Sequence, residues 1–128
     1  MSVQEILIVS ADLSRSTGLE MSIYRLSQNA QVVLATTGLA ALNRLRERVF
    51  DIILADIELP HMSGFELAMA ANHDSPQSTV ILMADRFDKS QGQAVAAYPP
   101  NVKSVLKRPV SIAQLWSIVQ ANRVEYLG

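Results

Sequence analysis

The chain has 128 residues, 49% of them apolar and 18% charged, with a net charge of −1 and no cysteine. That is enough chain for one domain with a substantial core, and too apolar for a disordered segment. The composition excludes a disulfide framework and a cysteine-ligated metal. It carries no basic cluster of nucleic-acid type, no apolar run of the roughly 20 residues a membrane span needs, and no signal-peptide start. The expectation is one cytoplasmic domain over residues 1–128, without nucleic-acid or membrane contact.

The first apolar run, residues 5–9 (EILIV), reads as a buried strand. Asp12 or Ser14 can cap the helix that follows, whose inner face is Leu19, Ile23 and Leu26. Residues 31–35 (QVVLA) form a second strand, and Thr37-Gly38 turns into a helix with Leu42, Leu45 and Val49 on one side. Residues 52–55 (IILA) form the third strand, which delivers Asp56 to the start of a loop. A helix from about Gly64 to Ala71 and a loop over residues 72–76 come next, then a strand over 79–83 (TVILM). Residues 85–100 predict a short or irregular helix, with Gly92 inside it and Pro99-Pro100 ending it. A fifth strand covers residues 103–107 (KSVLK). After Pro109, Ser111 and Gln114 form a capping box for a helix carrying Ile112, Leu115 and Val119, and residues 122–128 form a tail.

Five strand–helix units in alternation, with strands apolar on both faces and short connections, predict a doubly wound α/β domain. Right-handed crossovers give it a parallel sheet with helices on both sides. In such sheets ligands bind at the carboxyl ends of the strands, which is where Asp56 stands.

The order and spacing of the motifs carry a family likeness. Asp56, Pro60 and Gly64 form D-x-x-x-P-x-x-x-G after the third strand, flanked by ILIV in the first, VILMA at the fourth and KRP after the fifth. Over essentially its whole length the chain resembles the receiver domain of two-component response regulators. The resemblance implies a flavodoxin-like (CheY-like) five-stranded sheet in the order 2-1-3-4-5 with about five helices. It also implies a phospho-acceptor at Asp56, served by a histidine kinase or another signalling protein. Contact with partners, or a homodimer, would use the face of the fourth helix, fifth strand and fifth helix, and the domain would not itself be an enzyme.

The other parts of the family's site depart from its pattern. The acidic pair that would hold Mg²⁺ falls on Ser10 and Ala11, which leaves Asp12 and Glu58 as weak candidates for the metal. The switch Ser/Thr is Met83, the strand-five aromatic is Val105, and the phosphate-pairing Lys is Arg108. Arginine is planar, always charged and suited to pairing a carboxylate, so Arg108 is expected to form an ion pair with Asp56. Two readings follow: a pseudo-receiver acting by phosphorylation-independent contacts, with no cofactor, or a conventional receiver phosphorylated on Asp56.

The plainer alternatives are a purely structural Asp56, a solvated Glu58, packing roles for Met83 and Val105, surface positions for His61 and His73, and a core position for Trp116. Residues 14–18 (SRSTG) also hint at a flavodoxin-type FMN loop. They lie inside the predicted helix, however, too far from Val9 to meet a phosphate. Asp56-x-Glu58 echoes an aspartyl phosphatase motif, but on the third strand instead of the first.

Overall fold

A computed structural model describes residues 3–85 and 98–121. Five strands, β1 (Gln4–Val9), β2 (Ala30–Ala35), β3 (Ile52–Asp56), β4 (Thr79–Ala84) and β5 (Val102–Lys107), form one parallel sheet in the order β2-β1-β3-β4-β5. Four helices are present among the described residues: α1 (Leu13–Leu26), α2 (Gly38–Glu47), α3 (Gly64–Asp74) and α4 (Ile112–Ala121). Most of the helix expected over residues 85–100 lies outside the described residues, and so does the expected tail over 122–128.

The two-residue side-chain alternation of a strand sends neighbouring residues to opposite faces. Leu7, Ile53, Ala55 and Leu82 pack with Leu45 of α2 and Leu67 of α3. Ile6, Ile8, Ile52, Leu54 and Ile81 pack with Ile23 of α1 and Leu115 of α4. The sheet is therefore covered on both sides, and its central strands read as unbroken apolar runs because neither face meets water. Asp56 shares the parity of Ile52 and Leu54, so its side chain emerges on the α1/α4 face.

Each helix starts where the sequence offers a cap. Asp12 accepts from the backbone N–H groups of Ser14 and Arg15, Thr37 from that of Ala40, and Ser63 from that of Glu66. The Ser111–Gln114 capping box forms in both directions. Thr17 and Gly18 lie within α1, so the phosphate-loop reading of residues 14–18 has no loop to rest on.

Four sequence expectations are corrected. Asp56 is the last residue of β3, not the start of the loop, because its backbone still pairs in register with Met83. α3 continues to Asp74, so residues 72–74 complete its last turn. α2 stops at Glu47, where Arg48 turns extended; Val49 is exposed, and Phe50 fills the buried position instead. Trp116 is 45% exposed, since Leu115 and Val119 already occupy the inward stripe of α4.

Candidate functional site

The site can be derived from strand register. Val9 lies opposite Ala55, so Ser10, the next residue, falls beside Asp56. Ala84 lies opposite Lys107, so Asp85 falls beside Arg108. Backbone hydrogen bonds fix both junctions: the Ser10 N–H donates to the Ala35 carbonyl, the Ile57 N–H to that of Met83, and the Arg108 N–H to that of Ala84.

Asp56 is buried, with 6% of its side chain exposed, and both of its oxygens are engaged. The Ser10 hydroxyl donates to Oδ2 at 2.6 Å, and Arg108 Nη2 stands 2.6 Å from Oδ1. The arginine contact is one of charge: among the described residues no N–H is aimed at Oδ1, and the buried Nη1 of Arg108 has no hydrogen-bond partner. A guanidinium that met the carboxylate as a two-pronged fork would have satisfied both atoms.

Arg108 is held from its other side as well. Its Nε donates to Asp85 Oδ1 at 3.0 Å, and the same oxygen lies 3.3 Å from Arg15 Nη1. Arg15 Nε pairs with Asp12 at 3.4 Å, and the Asp12 N–H donates to Ser10 Oγ at 3.2 Å. The contacts close a ring: Ser10, Asp56, Arg108, Asp85, Arg15, Asp12 and back to Ser10. Ser10 and Asp56 are buried and Arg108 is largely so, whereas Asp12, Arg15 and Asp85 lie in solvent.

The outer carboxylates are shifted by this arrangement. For Asp85, burial pushes the carboxyl up, but the charges of Arg108 and Arg15 and their hydrogen bonds outweigh it and hold the group below the usual 3.8. For Asp12, the Ser14 hydroxyl, then the Arg15 backbone N–H, lead in holding it below 3.8. A carboxyl depressed in the folded state stabilises the fold above its unfolded value, and that stability is lost as pH falls through the folded value. The stability of the chain should therefore decline below about pH 3.8, and Asp85→Asn should remove part of that decline. Urea denaturation of both proteins at a series of acid pH values measures it; identical pH profiles would mean that Asp85 carries none of the effect.

The expected pair Asp56–Arg108 is brought together. Met83 is 1% exposed and packs into the α1/α4 core, while Val105 packs against the opposite core. Asp12 is the cap of α1, and its Oδ1 is turned to the Ser14 backbone and hydroxyl. Glu58 is exposed on the β3–α3 loop, and His61 and His73 are exposed too. His61 holds a left-handed backbone with φ 64, a strained conformation for a residue with a side chain.

The residues do not fit a divalent cation. Ser10 and Ala11 bring no carboxylate, the Asp56 oxygens face a hydroxyl and a guanidinium, and no three His, Cys, Asp or Glu side chains among the described residues could hold a metal together. Sequence reasoning missed the contributions of Ser10, Arg15 and Asp85. Register would have found Ser10 and Asp85, since each is the first residue beyond a strand whose neighbour ends at the same level.

The family model described as "Response regulator receiver domain" matches residues 6–120. The transcriptional regulatory protein ZraR of Klebsiella oxytoca is 32% identical over 111 residues, covering 87% of this chain and 24% of that protein. The transcriptional regulatory protein NatR of Bacillus subtilis is 35% identical over 83 residues, 64% of this chain and 34% of the relative. The chain thus spans about a quarter to a third of the length of these relatives. Among solved structures, a CheY-like receiver domain protein from Methanospirillum hungatei superposes with a TM-score of 0.81 at 22% identity, covering 94% of this chain and 93% of that one. The chemotaxis response regulator CheY4 of Vibrio cholerae gives 0.81 at 19%, covering 95% and 100%.

Proposed function

This chain belongs to the response regulator receiver domain family, and we propose that within it the chain works as a pseudo-receiver, docking signalling partners without being phosphorylated. The observation that carries the reading is the Asp56 carboxylate itself, whose two oxygens are occupied by Ser10 and Arg108.

Phosphoryl transfer to a carboxylate requires a free oxygen to attack phosphorus while a cation neutralises the charge on the transferring group. Here the attacking group is already paired. The positions that would carry the metal's carboxylates hold Ser10 and Ala11, and a buried Met83 replaces the hydroxyl that would meet the phosphoryl oxygen. A metal supplies several kcal/mol of charge stabilisation in such reactions, and each ~1.4 kcal/mol is about tenfold in rate. Losing these parts together slows phosphorylation by several orders of magnitude. On this reading the domain is not an enzyme, and its partners are signalling proteins recognised by surface shape and charge. The relatives ZraR and NatR are transcriptional regulatory proteins; the net charge of −1 argues against nucleic-acid contact by this domain alone.

The competing reading is a conventional receiver, favoured by the position of Asp56 at the carboxyl end of β3. Incubating the protein with Mg²⁺ and acetyl phosphate, or with beryllofluoride, and recording intact mass and amide spectra separates the two. The pseudo-receiver should keep its mass and its spectrum. A stable adduct at Asp56, with shifts spreading into β5, would establish the conventional reading instead.

A further inference from the structure

The ring around Asp56 supplies something that the family's usual switch positions cannot. Met83 is buried in the α1/α4 core and has no hydroxyl to follow a change at Asp56. Val105 has no large ring to swing between inner and outer positions, and it is packed against the α2/α3 core. Whatever reaches the surface from Asp56 must take another route.

We propose that an ion-pair relay, Asp56–Arg108–Asp85–Arg15, carries the charge state of Asp56 to the surface at the start of α1. The proposal rests on the Asp56–Arg108 pair used above and adds Asp85 and Arg15 as positioning residues. The geometry supports it in three ways. Arg108 is one guanidinium shared by two carboxylates: Nη2 stands 2.6 Å from Asp56, and Nε 3.0 Å from Asp85. The Oδ1 of Asp85 that accepts from Arg108 also accepts from Arg15 Nη1, at 3.3 Å, and Oδ2 lies 3.5 Å from that same Nη1, so the two arginines share one carboxylate. Finally, the pair at Asp56 is not locked by aligned hydrogen bonds, and Nη1 of Arg108 has no partner among the described residues, so the guanidinium can re-aim with few bonds to break.

The consequence follows from charge balance. When Asp56 loses its negative charge, Arg108 keeps only Asp85 as a carboxylate partner and draws closer to it. Asp85 then has less to offer Arg15, whose Nη1 turns to solvent while its Nε keeps Asp12. Because Arg15 is 44% and Asp85 57% exposed, this change alters the charge pattern that a docking partner meets. The relay crosses from the ends of β3, β4 and β5 to the first turn of α1, and each of its contacts is a direct one.

The test reads the arginine side-chain Nε–H signals by NMR in the wild type, D56N, D85N and the double variant. D56N, which removes the charge while keeping the shape, should shift the Arg108 signal and also the Arg15 signal. In the D85N background the Arg15 response to D56N should be lost, and Asp85→Glu should restore it. If Arg108 does not respond to D56N, the Asp56–Arg108 pair itself is wrong, and the function proposed above loses its support. If Arg108 responds but Arg15 does not, or if Arg15 responds equally without Asp85, only the relay is overturned. Where exchange with water broadens the Arg15 signal, a denaturation double-mutant cycle between D56N and R15A asks the same question: the coupling should be present with Asp85 and absent in the D85N background.

Discussion

Replacing Arg108 by alanine should lower the unfolding free energy by about 3–5 kcal/mol, the usual cost of leaving one member of a buried ion pair without its partner. The magnitude follows from burial. The Asp56 side chain is 6% exposed, and without Arg108 its only remaining polar side-chain contact among the described residues is the Ser10 hydroxyl. A single hydrogen bond to a charged group is worth ~1.5–3 kcal/mol and does not offset the desolvation of an ionised carboxylate. In a domain of this size the loss corresponds to a melting temperature lower by roughly 10–20 °C.

The opposite deletion should cost less. Asp56→Asn leaves Arg108 with Asp85 and keeps an acceptor for Ser10, so the expected loss is ~1–2 kcal/mol. The order R108A worse than D56N is the discriminating result, and thermal unfolding followed by circular dichroism measures both. Equal losses would mean that the buried carboxylate does not depend on the arginine. High salt should weaken the exposed Arg15–Asp85 arm and leave this order intact, because screening acts on the solvent side of the ring.

Gly64→Ala should be the second severe substitution, at about 3 kcal/mol, the upper part of the range for overpacking. A Cβ at position 64 would lie 2.3 Å from the Asp56 carbonyl oxygen and 3.0 Å from the Ile57 Cα. Both atoms belong to the backbone, so nothing can turn aside. The loop from β3 to α3 would have to open, breaking the 2.8 Å bond from the Gly64 N–H to the Ile57 carbonyl. Gly38→Ala makes the contrast. There the new Cβ meets only side-chain atoms of Met62: the sulfur at 2.7 Å, which can rotate away, and Cβ and Cγ at 3.1 Å, which need give by only a few tenths of an ångström. With the lower conformational freedom of alanine in the unfolded chain helping, that variant should lie within about 1 kcal/mol of the wild type. Urea denaturation of the two variants tests the pair; similar losses at both positions would show that the tightness at Gly64 is not borne by the backbone.

The fold was largely legible in the sequence because its signals are local. Four-residue apolar runs such as Ile6 to Val9 and Ile52 to Ala55 report strands buried on both faces, and caps such as Asp12 and Ser111 mark helix starts whatever surrounds them. Errors arose where two residues competed for one buried place. Phe50 took the position expected for Val49, and Leu115 with Val119 left Trp116 outside. Hydrophobicity alone ranks those residues alike; packing against a particular neighbour decides among them.

At the site, the sequence by itself determined which groups are present. It showed a carboxylate at Asp56, an arginine where the family likeness leads one to expect a lysine, and no carboxylate at Ser10 or Ala11. Those identities already argued against a metal-assisted acceptor. What only the tertiary structure decided is how the groups are joined. Ser10, Asp56, Asp85 and Arg108 are up to 98 residues apart in the chain, and strand register alone brings their side chains to one rim. Charge has no sequence periodicity, so nothing local to Asp85 or Arg15 marks them as members of a ring. The pairing of charges is a three-dimensional property, set by distances that the parallel sheet and the first turn of α1 impose.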